Sequence, residues 1–312
     1  MIIGLDISGG DFAPNANVLG ALSAIDQLPE DVQIALIGKH NEITSVLEAE
    51  KYSGSRLIIV DAPEVITMHD HPTRAIPQKP NSSISIGFDL LSKGEIDSFA
   101  STGNTGAMLV GAIYKVNAIP GVIRPCITSI LPKENGGNSV ILDVGTNADC
   151  KADVLYQFAK LGSLYAKNVL GIDNPKVALL NIGEEESKGN LLTQSAYKIM
   201  KGTDDFNFTG NVEGRDMFNG KADVIVCDGF TGNVVLKQAE GIYSIMKKRG
   251  IQDEYFDRFN YENYGGTPIL GVNSDVIIGH GISNDVAVKN MLVHAYDVAS
   301  TKLTKKIKEA FK

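Results

Sequence analysis

Short apolar runs alternate along the chain with amphipathic stretches whose apolar residues recur every three or four positions. The runs are typical of buried strands, and the stretches are typical of helices that cover a sheet. Their alternation predicts strand–helix units and a mostly parallel sheet. The predicted strands are Ile2–Ile7, Val32–Ile37, Leu57–Val60, Ser98–Ser101, Ile127–Leu131, Ser139–Asp143, Lys176–Asn181, Phe206–Asn211, Asp223–Asp228 and Val276–Gly279. The predicted helices are Asn15–Asp26, Asn41–Ala49, Ser82–Lys93, Thr105–Asn117, Asp153–Asn168, Leu191–Met200, Asn233–Arg249 and Asp285–Lys312.

Several predicted strands end in a similar way, with glycine, asparagine, aspartate or threonine before the next helix. These segments read LDISGGD, ASTGNTGA, LDVGTNADCK, LNIGEEESKGN, TGNVEGRD and CDGFTGNVVLK. In open α/β sheets, ligands bind outside the carboxyl ends of the strands. We therefore expect these loops to converge on one crevice.

Composition narrows the class of protein. The chain has 312 residues, of which 43% are hydrophobic and 21% charged, as in globular proteins. At this length single cores tend to split, so we expect two subdomains. The formal net charge of −8 argues against a nucleic-acid partner, because such proteins usually carry a basic stripe.

The N-terminal segment MIIGLDISGG has neither the cationic region nor the cleavage site of a signal peptide, and it is predicted as the first strand. No apolar run approaches the ~18 residues of a membrane span. The 3 cysteines show no CxxC pairing, which argues against a disulfide framework and against a zinc site. Together these features predict a cytoplasmic protein without a metal.

Glycine, present 32 times, is concentrated in the loops after strands. Glycine-rich turns between a strand and a helix let backbone N–H groups approach an anion, and the helix N-terminus adds partial positive charge. Gly103–Gly106 and Gly229–Asn233 both have this form. They also fit the ordinary tight turns of an α/β fold. The repetition of such loops with asparagine favours a ligand that carries a phosphate or a carbonyl group.

The nucleotide-binding signatures are absent. No GxGxxG follows the first strand, which argues against a dinucleotide fingerprint. The segment 214–222 superficially resembles a P-loop, but Gly214 and Gly220 are separated by five residues, and Ala222 stands where Ser or Thr would reach magnesium. The sequence therefore predicts no cofactor.

A few single residues are candidates for chemistry. Lys188 and Lys237 follow strand-end loops, where a lysine is a natural counter-charge for phosphate. His280, between two glycines, suits either a donor to a developing oxyanion or a structural role. The segment 69–71, His-Asp-His, is interpreted as a surface loop rather than a metal site. Cys150 is the one cysteine that we consider as a nucleophile, and a packing role is favoured for it as well.

The ordered set of motifs resembles that of the bacterial phosphate acyltransferases, over residues 5 to about 291. The similarity is carried by GGD, TGNTGA, GTNADCK, LNIGEEESKGN, GNVEGRD, CDGFTGNVVLK, NYGG and GHG. It implies an isocitrate/isopropylmalate dehydrogenase-like α/β fold, shared with phosphotransacetylase, with an interdomain cleft and a homodimer. We expect residues 1–120 plus 265–312 to form the first subdomain, and 121–264 to form the second, dimerising one.

The resemblance further implies transfer of a long-chain acyl group from acyl carrier protein to inorganic phosphate, giving acyl phosphate for phospholipid synthesis. Phosphate is already a nucleophilic oxyanion, so a single displacement without a covalent enzyme intermediate is predicted. The candidate phosphate and substrate residues are Asp6, Gly9, Gly10, Asp11, Gly103, Asn104, Thr105, Gly106 and Lys188. The candidate residues on the carbonyl side are Asn211, Asn233 and His280, and Lys237 suits either side.

The chain departs from the family pattern in three places. LDISGGD replaces the common LDAMGGD, and only Lys79 remains of a basic run before Asn81-Ser82-Ser83. The segment 238–264 is shorter than usual and mixes aromatic with acidic residues. An anionic membrane surface would repel the acidic side chains. Contact of this segment with a membrane, a dimer partner or the carrier protein is left open. Contact of the protein with a membrane surface or with a membrane acyltransferase is left open as well. The alternative functions are a phosphotransacetylase-like enzyme that uses acyl-CoA, and a non-catalytic scaffold for lipid synthesis.

Overall fold

The computed structural model describes residues 1–312 as an α/β protein. Its strands are β1 (Ile2–Asp6), β2 (Gln33–Gly38), β3 (Leu57–Asp61), β4 (Ser98–Ser101), β5 (Cys126–Pro132), β6 (Asn138–Leu142), β7 (Lys176–Leu180), β8 (Asn207–Val212), β9 (Val224–Val226), β10 (Gly266–Leu270) and β11 (Asp275–Gly279). Its helices are α1 (Asn15–Ile25), α2 (His40–Ala49), α3 (Pro72–Gln78), α4 (Ser83–Lys93), α5 (Thr105–Gly111), α6 (Ala152–Asn168), α7 (Leu191–Met200), α8 (Gly229–Lys248), α9 (Glu254–Asp257), α10 (Asp285–Ser300) and α11 (Leu303–Ala310).

The chain divides into two compact units. The first comprises Met1–Ala118 and Tyr261–Thr304, and the second comprises Ile119–Asn260 and Lys305–Lys312. The C-terminal residues from Lys305 onwards therefore group with the second unit, whereas the sequence assigns them to the first.

The first unit is built on six strands in the order β3-β2-β1-β4-β11-β10. All neighbours are parallel except β10 and β11, which run antiparallel. Ile3 and Leu5 of β1 are fully buried, as expected for a strand covered by helices on both faces of a parallel sheet. The carboxyl ends of β1, β4 and β11 therefore lie side by side.

The second unit is built on five strands in the order β5-β6-β9-β7-β8. Only β5 and β6 are antiparallel neighbours. The central strand β9 is short and wholly buried, with Val224, Ile225 and Val226 inaccessible to solvent. This arrangement brings together the loops that follow β6, β7 and β9.

Each predicted strand and most predicted helices are confirmed, with ends that differ by a few residues, but two predicted helices differ in form and three elements were not predicted. These are β10, α3 and α9. The predicted helix Asp285–Lys312 is in fact two helices, because Lys302 adopts a left-handed conformation with φ 54° that a continuing helix cannot accommodate. The predicted helix Thr105–Asn117 changes to π-helical geometry from Ala112 to Val116.

Asparagine and aspartate in the strand-end loops cap the helices that follow. Asn104, Asp228 and Asn284 accept backbone N–H bonds in the first turns of α5, α8 and α10. Such caps satisfy backbone N–H groups that have no partner within the helix. Part of the polar character of these loops is therefore explained by the fold.

Candidate active site

Three loops of the first unit meet at the carboxyl ends of its central strands. We call residues 7–14, 102–104 and 280–284 the first loop cluster. The Asp11 backbone N–H donates to the carbonyl of Gly281 at 2.7 Å, and the Thr102 hydroxyl donates to the carbonyl of Gly9 at 2.9 Å. The structure thus brings the predicted residues Gly9, Gly10 and Asp11 next to the loop that contains His280.

Asp6 lies beneath this cluster and is 1% exposed. Its Oδ2 accepts the Ser101 hydroxyl at 2.7 Å, and its Oδ1 accepts the Ser8 N–H at 3.0 Å. Burial raises the pKa of the Asp6 carboxyl, while these hydrogen bonds and one from Ser83 act in the opposite direction. The buried carboxylate holds the loops together and is not open to a ligand.

Gly9 and Gly103 are in direct contact. A Cβ at Gly9 would lie 2.5 Å from Oδ2 of Asp6 and 2.6 Å from the backbone nitrogen of Gly103. Real Cβ atoms do not approach so closely, so only glycine fits here. Two loops that are distant in sequence can therefore present their backbones side by side.

The remaining predicted residues of the first unit differ in what they can offer a ligand. Asp11 and Thr105 are exposed, and Gly10 and Gly106 are half-buried. The Asn104 side chain is fully used, because Oδ1 accepts the N–H of Ala107 at 3.0 Å and Nδ2 donates to the carbonyls of residues 67 and 70 at 3.0 and 3.1 Å. Asn104 therefore shapes the loop.

His280 is half-buried, and its ring lies edge-on against Tyr261 with centroids 5.1 Å apart. Lys79, the remaining cation of the basic run, pairs with Asp70 at 2.6 Å and also donates to the carbonyl of Val65. The Lys79 ammonium lowers the pKa of Asp70. The His-Asp-His loop is thus anchored by its aspartate.

One organising residue of the first loop cluster was not predicted. Asn17 is 1% exposed, and its Nδ2 lies 3.2, 3.0 and 2.8 Å from the carbonyls of Asp6, Ile7 and Gly9. The sequence signal was available, since a polar residue inside the apolar face of α1 must find partners when buried.

The second unit repeats this arrangement around Asp143, which follows β6 and is fully buried. Its Oδ1 accepts the Ile127 N–H at 3.0 Å, and its Oδ2 accepts the N–H and the Nδ2 of Asn147 at 2.6 and 2.9 Å. A Cβ at Gly229 would lie 2.6 Å from Oδ2 of Asp143, so the next loop packs against the carboxylate. Burial raises the pKa of this carboxyl, and its hydrogen bonds oppose that effect. Asp143 was not predicted, although LD ends the strand here as it does at Asp6.

Lys188 lies in the loop between β7 and α7 and is exposed. Two of the three glutamates on the same loop have other partners, since Glu184 pairs with Lys221 at 2.7 Å and Glu186 pairs with Lys201 at 2.6 Å. Glu185 lies on the same loop and forms no ion pair. The Lys188 ammonium forms no ion pair, so its positive charge is available to an anion.

Asn211 supports this loop from below. It is 8% exposed, and its Nδ2 donates to the carbonyls of Glu184 and Glu185 at 3.5 and 3.0 Å. Its Oδ1 is buried without a hydrogen-bond partner. The amide group that could donate to a substrate oxygen is already committed to the loop that carries Lys188.

Asn233 and Lys237 lie on the first turns of α8, and both are exposed. The Asn233 side chain lies next to Gly145 of the loop after β6. Lys237 pairs with Glu240 at 2.7 Å on the helix surface. The predicted residues of the second unit therefore occupy two neighbouring loops and one helix, and only Lys188 offers an uncompensated positive charge.

A cavity of about 400 Å³ lies among these loops, and we call it the loop pocket. Its polar lining comes from Asn181, Asn190, Thr193, Asp228 and Thr231. Gly189 and Asn190, which follow Lys188 in the chain, form one edge. The pocket is of the size that holds small organic ligands.

Cys150 does not suit nucleophilic chemistry. Burial, together with the negative charge of Asp143, raises the pKa of its thiol to about 11, so the thiolate is scarce at neutral pH. No group of three or more His, Cys, Asp or Glu side chains is arranged to hold a metal ion. None of the helices combines the length and the apolar character needed to cross a membrane.

Comparison with known proteins decides the family. The family model described as "Fatty acid synthesis protein" matches residues 1–306. The phosphate acyltransferase of Dictyoglomus turgidum is 42% identical over an alignment of 328 residues, gaps included. The alignment covers 99% of this chain and 97% of the relative. This chain belongs to the phosphate acyltransferase family. Members of this family are transferases.

Solved structures support the fold of this phosphate acyltransferase family member. A phosphotransacetylase from Streptococcus pyogenes superposes with a TM-score of 0.68 at 18% identity, covering 96% of this chain and 94% of that one. A 4-hydroxythreonine-4-phosphate dehydrogenase from Salmonella typhimurium gives a TM-score of 0.61 at 12% identity, covering 96% and 99%. The α/β architecture with a parallel-rich sheet is therefore shared with both classes of enzyme.

Proposed function

We propose that this chain transfers a long-chain acyl group from the thioester of acyl carrier protein to inorganic phosphate. Membership of the phosphate acyltransferase family supports the acyl transfer, and the observation that carries the phosphate site is Lys188. It is the one lysine of its loop, it is exposed and in no ion pair, and Glu184 and Glu186 are paired with other lysines. An ammonium outside any ion pair, next to the pocket edge formed by Gly189 and Asn190, suits a phosphate oxygen.

The chemistry needs no covalent intermediate. A phosphate oxygen attacks the thioester carbonyl carbon and forms a new C–O bond. The tetrahedral oxyanion then collapses, the C–S bond breaks, and the carrier leaves as a thiolate while the acyl group stays on phosphate as an acyl phosphate, a mixed anhydride. Positioning and fixed donors lower the barrier for such a step. The high thiol pKa of Cys150 agrees with direct attack.

The roles of the remaining candidates follow from their contacts. We assign Asp6, Asn104 and Asn211 positioning roles, because their polar atoms are buried or committed to the backbone. The backbones of Gly9, Gly10, Gly103 and Gly106, with the exposed Asp11 and Thr105, remain the proposed substrate residues of the first unit. His280 and Asn233 remain proposed donors on the carbonyl side, and Lys237 remains a proposed substrate residue.

Three further properties belong to the same proposal. The fold is of the isocitrate/isopropylmalate dehydrogenase-like type. The structural similarity to 4-hydroxythreonine-4-phosphate dehydrogenase supports this part of the proposal. The enzyme works as a homodimer. The exposed apolar residues Phe230, Val234 and Ile245 of α8 support contact with a second copy or with a membrane surface.

Replacement of Lys188 by alanine tests the phosphate site. A hydrogen bond to a charged group contributes about 1.5–3 kcal/mol, so the KM for phosphate should rise on the order of 10- to 100-fold in Lys188→Ala. Lys198→Ala, which removes an exposed lysine from α7 of the same unit, is the control and should leave this KM unchanged. Acyl phosphate is trapped with hydroxylamine while phosphate is varied.

The donor is tested in the same assay with carrier-protein and coenzyme A thioesters of one acyl chain. Faster turnover of the carrier-protein thioester supports the proposal, and a preference for coenzyme A supports the phosphotransacetylase-like alternative. An unchanged phosphate KM in Lys188→Ala would show that the phosphate binds elsewhere.

A further inference from the structure

A second cavity of the second unit is lined mainly by aromatic and aliphatic side chains. It has a volume of about 600 Å³, and we call it the aromatic groove. Its apolar lining includes Phe218, Ile242, Tyr243, Tyr255, Phe256 and Phe259. None of the predicted catalytic or phosphate-binding residues lines it.

One side of the aromatic groove is a face of α8. Val235, Gln238, Ala239, Ile242 and Tyr243 line it, and their spacing of three, four, seven and eight residues places them on one helical face. The opposite side is α9 with the residues that follow it. The groove is therefore a slot between a long helix and a short aromatic segment.

The aromatic segment is fastened to the sheet rather than loosely folded over it. Arg258 donates to the carbonyl of Lys133 at 2.8 Å, to the carbonyl of Gly137, and to Oδ1 of Asn138 at 3.0 Å. The Tyr255 hydroxyl donates to the carbonyl of Pro132 at 3.2 Å. These bonds anchor the wall of the slot from behind.

The rings brace one another. Phe259 meets Tyr255 edge-on, with centroids 5.5 Å apart and planes at 88°, and it meets Phe218 at 5.4 Å and 61°. Contacts of this geometry stabilise aromatic clusters beyond the burial of their area. The slot is thus preformed, and apolar ligands bind best to sites that need little reorganisation.

The aromatic groove adjoins the loop pocket. Gly214 and Val235 line both cavities. Gly214 places no side chain between the two cavities, and no atom lies within 4 Å of the position that a Cβ would take there. A ligand with a polar head in the loop pocket can therefore extend an apolar tail into the groove.

We propose that the aromatic groove binds the hydrocarbon chain of the acyl thioester. This inference rests on the proposed function, because it assumes that an acyl group is the substrate. A methylene group takes up about as much space as a water molecule, roughly 30 Å³, so the groove has room for a chain on the order of 16 to 20 carbons. Each methylene that leaves water for the groove adds to the favourable transfer free energy, so the groove favours long chains.

The test blocks the groove with Ala239→Trp. The matched control is Ser244→Trp, which places the same side chain on an exposed position of α8 outside the groove. Rates of acyl phosphate formation are measured with hexadecanoyl and butanoyl thioesters of acyl carrier protein at one phosphate concentration. We expect the hexadecanoyl-to-butanoyl rate ratio to fall at least tenfold in Ala239→Trp and to stay within twofold of the unaltered enzyme in Ser244→Trp.

The outcomes separate the two proposals. If the unaltered enzyme converts neither thioester, the proposed function fails. If it converts both and the ratio is unchanged in Ala239→Trp, the groove does not hold the chain.

A second measurement on the unaltered enzyme does not depend on the folding of a variant. Hexadecanoic acid with a terminal diazirine is photolysed on the protein, and the labelled peptides are mapped by mass spectrometry. Labels within residues 214–259 support the groove, and labels confined to other segments overturn it.

Discussion

Asp143→Asn tests the idea that buried carboxylates organise the strand-end loops. The carboxylate accepts three N–H groups at 2.6 to 3.0 Å, and the side chain is inaccessible to solvent. An amide of the same shape can accept through one oxygen only. If its oxygen keeps both bonds from Asn147, its NH₂ group faces the N–H of Ile127, and two donors confront each other without water.

The expected cost follows from these contacts. A lost hydrogen bond to a charged group costs about 1.5–3 kcal/mol, and an unsatisfied buried donor adds to this cost. Removal of the buried charge offsets part of this destabilisation, because a buried charge is costly to desolvate. We therefore expect a net loss of about 2 kcal/mol in the free energy of unfolding. Acyl transfer should also decline, because the loop after β6 packs against Gly229 at the start of α8.

Urea unfolding followed by far-ultraviolet circular dichroism measures the loss, since the chain has no tryptophan for fluorescence. Asp149→Asn, which changes an exposed aspartate of the same loop, is the control and should stay within about 0.5 kcal/mol of the unaltered protein. A stability of Asp143→Asn equal to that of the control would refute the role given to the three hydrogen bonds.

Two other predictions concern titratable groups. Cys150→Ser should keep the rate of acyl transfer within twofold of the unaltered enzyme in the hydroxylamine assay, because the thiol pKa of about 11 leaves little thiolate to act as a nucleophile. A loss of turnover would indicate a covalent intermediate on Cys150. Burial lowers the pKa of His294 to about 4 from 6.5, so its stabilising effect is present above pH 6.5 and is lost as the pH falls toward 4. We expect His294 by itself to lower the free energy of unfolding by about 2 kcal/mol between pH 7 and 5. The drop measured in urea titrations at both pH values should therefore be smaller in His294→Gln than in the unaltered protein.

Most of the strands were predictable because they contain short apolar runs, as in IIGLD of β1 and VIV of β9. β4 begins and ends where the pattern predicts, at Ser98 and Ser101. β10 was missed because its sequence, GTPIL, starts with residues typical of turns, and Pro268 removes a backbone donor. It forms through pairing with β11, a long-range contact that no local pattern contains.

Helix ends depended on less visible features. The apolar period of α10 continues into α11, so one long helix was predicted. The interruption is a single residue, Lys302, in a left-handed conformation. Nothing in the local sequence requires it, because lysine has no preference for that conformation.

The positions of the loops at the site could be predicted from the sequence, but the roles of their side chains could not be predicted. Asn104 and Lys188 stand in similar polar, glycine-rich segments, yet the first is tied to backbone by all its polar atoms and the second forms no ion pair. Their difference depends on neighbours that are distant in sequence, such as residues 67 and 70 for Asn104. Charge pairing on the loop of Lys188 is likewise decided by Lys201 and Lys221.

Asp6 and Asp143 show how one physical requirement can produce much of this polar pattern. Each aspartate ends a buried strand, accepts N–H or O–H groups from its own loop or a neighbouring strand, and is covered by a glycine of a nearby loop. A loop that must leave a sheet and present its backbone needs internal acceptors, because buried N–H groups cannot be left unpaired. Much of the asparagine, aspartate and glycine at these strand ends therefore builds the loops, and binding is left to the few groups, such as Lys188, that the loops do not use.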